Sequence, residues 1–200
     1  MRLRLAKPDD AGAIAEIYYA CNAGNPRSFM VRMGRRFLRC YYRVTLGARE
    51  SVTLCAENPA GEMMGFASGT IDASALLGTL RSARGSLLLA AAGAVMLHPT
   101  LLSQMRRRGR DGGAGYIIST GARWEYWAWH PRFKGTSGAI ALQRAWLDVV
   151  RGLGIRKVGL EVNADDEKIA RLHQSCGAKL LRETTTPEGI ARLFLEYDLS

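Results

Sequence analysis

Residues 122–150 read Ala122-Arg-Trp-Glu-Tyr-Trp-Ala-Trp-His130-Pro-Arg-Phe-Lys-Gly-Thr-Ser-Gly138-Ala-Ile-Ala-Leu-Gln-Arg-Ala-Trp146-Leu-Asp-Val-Val150. The first nine are rich in aromatics and predict a central strand. Residues 131–138 are turn formers and small residues, and predict a loop. Ile140, Leu142, Trp146, Val149 and Leu153 then mark a helix that stops at Gly152 or Gly154. A strand, a loop of small residues and a helix in direct succession present unpaired helix N–H groups beside an unobstructed backbone. That arrangement suits a phosphate or pyrophosphate, and Arg132 and Lys134 add charge. Glycine-rich loops ahead of helices are common, so the loop alone does not identify an anion.

Working outward, residues 155–162 predict a strand, and Asp165 or Asp166 caps a helix over 168–175. Gly177 ends that helix, and strands over 178–184 and 191–198 follow. Upstream, Leu3 and Leu5 alternate with Arg2 and Arg4 as a short strand. Pro8-Asp9-Asp10 turns the chain into a helix capped by an aspartate. A second helix is expected over 28–46, with Phe29, Met33, Phe37, Tyr41 and Val44 at helical spacing. Strands at 51–56 and 62–69 flank a turn at 57–61 and predict an antiparallel hairpin. Residues 73–112 interrupt this pattern as an Ala/Leu/Arg segment: a helix over 75–84, a buried helix over 86–97, and arginines 106, 107, 108 and 110. The second helix is too short to span a bilayer, which takes roughly 20 residues. Interleaved strands and helices give an α/β (α+β) class: one domain over 1–200, with a mixed, mostly antiparallel sheet and a helical insertion between strands 3 and 4.

The 200 residues are 48% apolar and 23% charged, a globular composition able to bury a core. The basic start of the chain has no apolar run behind it, so a signal peptide is not expected. Cys21, Cys40, Cys55 and Cys176 lack any ligand or disulfide spacing, which predicts reduced thiols, a cytoplasmic setting and no metal. The formal charge is +10, from 23 arginines and 5 lysines against 18 acids. Such a balance favours anionic partners or is simply a solvated surface, and it does not choose between them.

Several stretches together resemble the GNAT superfamily of N-acetyltransferases. The opening strand with Lys7-Pro8-Asp9-Asp10-Ala-Gly-Ala-Ile-Ala is similar to that family's first strand and helix. Met64-Gly65-Phe66-Ala67-Ser68-Gly69 is similar to the end of its hairpin, and residues 129–139 to its acyl-CoA loop. Glu161-Val162, followed by Glu167, Ala170, His173, Gly177 and Ala178, is similar to its last motif. The resemblance implies acetyl-CoA as co-substrate, direct acyl transfer to the primary amine of a small molecule, and a β-bulge in the central strand that accommodates the thioester. It also implies an acyl carbonyl near Ala128 and Trp129, and a pyrophosphate along Lys134, Gly135, Thr136, Ser137, Gly138 and Ala139. Lys134, Ser137 and Ala139 stand where the family usually has Arg or Gln, Gly, and Gly or Ala. His173 stands where a tyrosine protonates the leaving thiolate. An imidazole can do that work, or it can simply fill a groove wall.

Glu125 is the first candidate base and His130 the second; a bulge would shift the side-chain alternation and so decide which faces the cleft. Trp124, Tyr126, Trp127 and Trp129 either wall an acceptor pocket or belong to the core. The 73–112 insertion resembles, more loosely, one carried by relatives that accompany polysaccharide biosynthesis. It reads either as a lid for an amino sugar or nucleotide-linked amino sugar, or as a homodimer element. Two further readings stay open: a catalytically weak CoA-binding sensor, and a basic protein that meets a membrane surface or nucleic acid. Neither nucleic acid nor an integral membrane segment is part of the leading expectation.

Overall fold

Seven strands form one sheet: β1 (Arg2–Leu5), β2 (Ser51–Glu57), β3 (Met63–Thr70), β4 (Arg123–Trp129), β5 (Lys157–Asn163), β6 (Ala178–Thr185) and β7 (Ala191–Asp198). Their spatial order is β1-β2-β3-β4-β5-β7-β6, and every pairing is antiparallel except β4–β5. The computed structural model describes residues 1–25, 28–104, 121–133, 136–185 and 189–200, and all statements here concern those residues. The arginines at 106–110 lie outside them, as do Lys134 and Gly135.

Helices cover both faces of the sheet. On one face lie α1 (Ala11–Asn22), the single turn α2 (Phe29–Arg32) and α3 (Gly34–Leu46), with α4 (Ala73–Ser82) and α5 (Arg84–Leu97) outside α3. Ile14, Met33, Leu38, Tyr42 and Phe66 are sealed in that core. On the other face, α6 (Thr136–Gly152) and α7 (Glu167–Ser175) pack on Trp124, Leu160 and Leu195. α6 buries Leu142, Trp146 and Val150 completely, one turn apart, and the Trp146 indole N–H donates to the Val52 carbonyl at 2.9 Å. Truncating so completely buried a tryptophan to alanine costs about 3–5 kcal/mol.

Three expectations need correction. Residues 28–46 are two helices, because Gly34 has φ +84° and the chain turns there. Asp10 does not cap α1: its carboxylate grips the Arg4 guanidinium at 2.7 and 2.8 Å and accepts the Lys7 N–H at 2.7 Å. The helix at 86–97 is not buried. Within α5 only Ala91 is sealed, since one narrow stripe meets α3, and Leu89, Met96 and Leu97 face outward. Among the described residues no single helix is long and apolar enough to cross a membrane, although α4 and α5, bent by 71°, pass that test together.

Candidate active site at the bulge of β4

The sheet opens at its only parallel pairing. β4 and β5 share one register point, Arg123↔Gly159, where the Gly159 N–H donates to the Ala122 carbonyl at 3.1 Å. On its other edge, β4 pairs Tyr126 with Ser68 and Trp124 with Gly69, which leaves Glu125 as the extra residue of a β-bulge. Gly69 permits this. A Cβ there would stand 2.3 Å from the Arg123 carbonyl oxygen and 2.4 Å from the Trp146 ring.

The bulge resolves the side-chain alternation. Trp124 packs edge-on against Trp146 on the α6 face, and Tyr126 packs against Tyr18 and Tyr41 on the α1–α3 face. Glu125 turns to the same side as Tyr126 and accepts the Tyr41 hydroxyl at 3.4 Å. It borders a cavity of about 440 Å³ lined also by Arg123, Glu161, Asn163 and Arg192. Asn22 at the end of α1, Asn25 and Ser28 ahead of α2 line it as well. Burial raises the pKa of Glu125, opposed by the charge of Arg123 and the hydrogen bond from Tyr41. A carboxyl so placed is a proton acceptor with more drive than an exposed one.

His130 is not among the residues lining this cavity. Its N–H donates to the Met64 carbonyl at 2.7 Å, and its Nδ1 accepts the Arg132 N–H at 3.1 Å, so it shapes the turn that leaves β4. Ala128 is buried, and the Trp129 carbonyl accepts the Cys21 thiol at 3.2 Å. The Trp129 indole donates to the Phe133 carbonyl at 3.1 Å and lies over Gly138, where a Cβ would come within 2.7 Å of the ring. Thr136, Ser137, Gly138 and Ala139 form the first turn of α6, with Ser137 exposed and Ala139 buried.

His173 belongs to a separate cluster. Its Nδ1 lies 2.7 Å from the Tyr197 hydroxyl and 3.4 Å from Gln143 Nε2, and Gln143 Nε2 also donates to that hydroxyl at 2.7 Å. The contacts fit Tyr197 donating to Nδ1 and accepting from Gln143, which leaves the buried Gln143 Oε1 without a partner. Burial pushes the imidazole pKa down to about 4, so it is neutral at pH 7. Trp124 and Trp127 stand edge-on to the ring. Among the described residues no group of three His, Cys, Asp or Glu side chains could hold a metal ion, and all four cysteines are free.

Known structures with this architecture are numerous. A protein assigned as a GNAT-family acetyltransferase from Desulfovibrio desulfuricans superposes with a TM-score of 0.63, covering 100% of this chain and 99% of its own, at 12% identity. The chain has the GNAT fold. The Escherichia coli ribosomal-protein-S18-alanine N-acetyltransferase matches at a TM-score of 0.61 and 13% identity, over 100% of this chain and 94% of its own. The protein yncA from Salmonella typhimurium, assigned as an acetyltransferase, with its cofactor acetyl-CoA, matches at 0.59 and 16%, over 100% and 94%. No protein-family model matches the sequence, and no curated protein matches it.

Two observations bear on whether residues of this GNAT fold suit an acyl-CoA. The buried Trp127 indole Nε1 has no hydrogen-bond partner, and it sits on the stretch of β4 that diverges from β5. The first turn of α6 carries small residues in sequence, and although the Trp129 ring covers Gly138, Ser137 beside it is exposed. Sequence reasoning missed Tyr41, Gly69 and Asn163. Gly65 and Gly69, four apart within one strand, were the readable signal for a bulge or a close backbone approach.

Proposed function

We propose that the protein is an acyl-CoA-dependent N-acyltransferase, acetylating the primary amine of a small molecule by direct attack. The bulge at Glu125, beside the divergence of β4 from β5, carries this reading. Acetyl-CoA supplies an activated acyl carbon. The chain's own residues do the rest: the first turn of α6 and Lys134 attract the pyrophosphate, and the β4 backbone at Ala128 and Trp129, beyond the bulge, receives the carbonyl oxygen. Glu125 takes the ammonium proton of the acceptor, which frees its lone pair. The N–C bond then forms as the C–S bond breaks, and the second proton of the attacking nitrogen passes through water to the departing thiolate, which leaves the neutral amide and the free thiol.

Glu125 is preferred to His130 because it borders the cavity and His130 is tied into the turn. For His173, the groove-wall role is better supported than proton donation, since its Nδ1 is already engaged and a neutral imidazole N–H is a poor acid at pH 7. An anionic nucleotide-linked sugar draws little support from a cavity bordered by carboxylates.

Calorimetric titration with acetyl-CoA and with free CoA tests the reading. One-site binding of both, followed by CoA release in the presence of amines, is the expected result. Binding without turnover of any amine would leave a CoA sensor; no binding at all would remove the enzyme reading.

A further inference from the structure

α5 is apolar nearly all round, yet the described residues cover one side of it alone. The covered stripe is Leu87, Ala91, Ala94 and Val95, packed into the core that α3 shares. Two rows face outward at four-residue spacing, Arg84-Leu88-Ala92-Met96 and Gly85-Leu89-Gly93-Leu97, and all eight residues are exposed. Leu88, Leu89, Met96 and Leu97 are 47, 66, 78 and 79% exposed. A single exposed leucine is ordinary, but four large apolar side chains on one helix face form a patch of the kind that marks an interaction surface. A helix apolar on all sides belongs in a core or against lipid, and these exposures exclude the core.

Charge separates the remaining partners. Residues 73–104 contain no aspartate or glutamate. Their two arginines, Arg81 and Arg84, are exposed and have no ion-pair partner among the described residues. Arg84 heads one of the outward rows, a turn before Leu88, and Arg81 stands in the last turn of α4. A second copy meeting this face through its own α5 would bring arginines and no carboxylate to receive them. An anionic bilayer offers phosphates at headgroup level, with acyl chains beneath for leucine and methionine. The net charge of +10 adds a long-range attraction to the same surface.

The geometry also decides how α5 would meet lipid. Its 14 residues are about 21 Å long, short of the roughly 30 Å hydrocarbon core. α4 cannot lengthen it, because the two helices are bent by 71° and α4 is pinned. Leu76 is sealed, the Thr79 hydroxyl donates to the Glu50 carboxylate at 2.9 Å, and Asp72 accepts the Ala75 N–H at 3.0 Å. We propose that α5 lies along the surface of an anionic phospholipid bilayer, with its outward rows among the upper acyl chains and Arg81 and Arg84 on lipid phosphates. No residue of α5 lines the cavity at the bulge, so this docking is independent of the acyltransferase reading.

The test is co-sedimentation of the full chain with vesicles of phosphatidylglycerol and phosphatidylcholine, and with vesicles of phosphatidylcholine alone. The wild type is expected to bind the anionic vesicles at least about tenfold more tightly than the neutral ones, with the difference shrinking in high salt. Leu89→Gln, Met96→Gln and Leu97→Gln together should weaken anionic binding by at least about tenfold, and Arg81→Gln with Arg84→Gln by about tenfold. Glutamine is a good helix former and all five positions are exposed, so both variants should keep the wild-type urea midpoint.

No binding to the anionic vesicles at low salt would overturn the proposal. So would a triple variant that binds as the wild type does, since the attraction would then come from basic charge elsewhere. A wild-type dimer that the triple variant dissociates, seen by sedimentation equilibrium, would assign the face to a second copy and overturn it as well. Hydrogen exchange on the wild type needs no variant: residues 85–97 should gain protection on anionic vesicles, and protection confined to other segments would overturn the assignment.

Discussion

Glu125 and His173 lie against opposite faces of β4, and burial pushes each toward its neutral form. Their hydrogen bonding differs. His173 finds its partners inside the protein, Tyr197 and Gln143, brought from β7 and α6. Glu125 has a single long contact, to Tyr41, and otherwise borders a cavity large enough for a small molecule. A buried polar side chain with its partners supplied holds the fold together, whereas one facing a polar cavity is available for chemistry. The two sides of β4 thus separate a polar cluster whose members meet one another from a carboxylate that meets a cavity, although the sequence makes both residues candidates.

The contrast breaks first at Glu125. Glu125→Gln preserves shape and removes the proton acceptor, so kcat should fall by about 10²–10⁴-fold while acetyl-CoA affinity holds. His173→Gln should cost little in kcat once the protein is folded. A loss at position 173 as large as that at 125 would make the imidazole the proton carrier and reverse the assignment. Gly69→Ala tests the backbone that presents Glu125. With no room for a Cβ against Trp146 and the Arg123 carbonyl, the strand must shift, which should destabilise the protein by about 1–3 kcal/mol or more in urea unfolding. It should also lower kcat in the fraction that remains folded, because the bulge cannot keep its geometry.

These positions differ in how far sequence could lead to them. The hairpin of β2 and β3 was legible because Asn58 and Gly61 punctuate two apolar runs, and β7 falls on the predicted residues 191–198. The strand and helix around residues 122–150 also stand, although the helix begins at Thr136, inside the loop expected over 131–138. What could not be read depends on pairing across the fold. Which residue of β4 is extra depends on its register with β3, and so on the space that Gly69 leaves for Trp146. The cavity joins Asn22, Asn25 and Ser28 to Asn163 and Asp166, well over a hundred residues apart in the chain. Asp165 and Asp166 were legible as a helix cap but not as part of a cavity. α5 misled because Leu/Ala composition describes a helix without saying which face is covered, and only one stripe of it is.

A pH titration of stability sharpens the structural half of the contrast. The folded pKa of His173, about 4, lies below the ordinary imidazole value of 6.5. Between those values the unfolded chain takes up a proton that the folded protein refuses. His173 therefore contributes stability above pH 6.5 that is lost as pH falls toward 4, amounting to about 3 kcal/mol across the window. Urea midpoints measured from pH 7 to 4 should decline more steeply in the wild type than in His173→Gln. Parallel declines would mean that the imidazole is hydrated, and that the cluster it forms with Tyr197 and Gln143 is open to water.

The smallest effect is the most discriminating for Glu125. The Tyr41 hydroxyl donates to the carboxylate and so favours its ionised form, against the burial that raises its pKa. Tyr41→Phe removes that donor without changing the packing of the ring on Tyr42 and Tyr126. The pKa of Glu125 should then rise further, moving the acid limb of the kcat profile to higher pH and lowering turnover at pH 7 by a few-fold at most, since the contact is long. Above the acid limb the variant should recover the wild-type rate. Recovery at high pH is the signature of a shifted base, because a merely misplaced carboxylate would be slow at every pH.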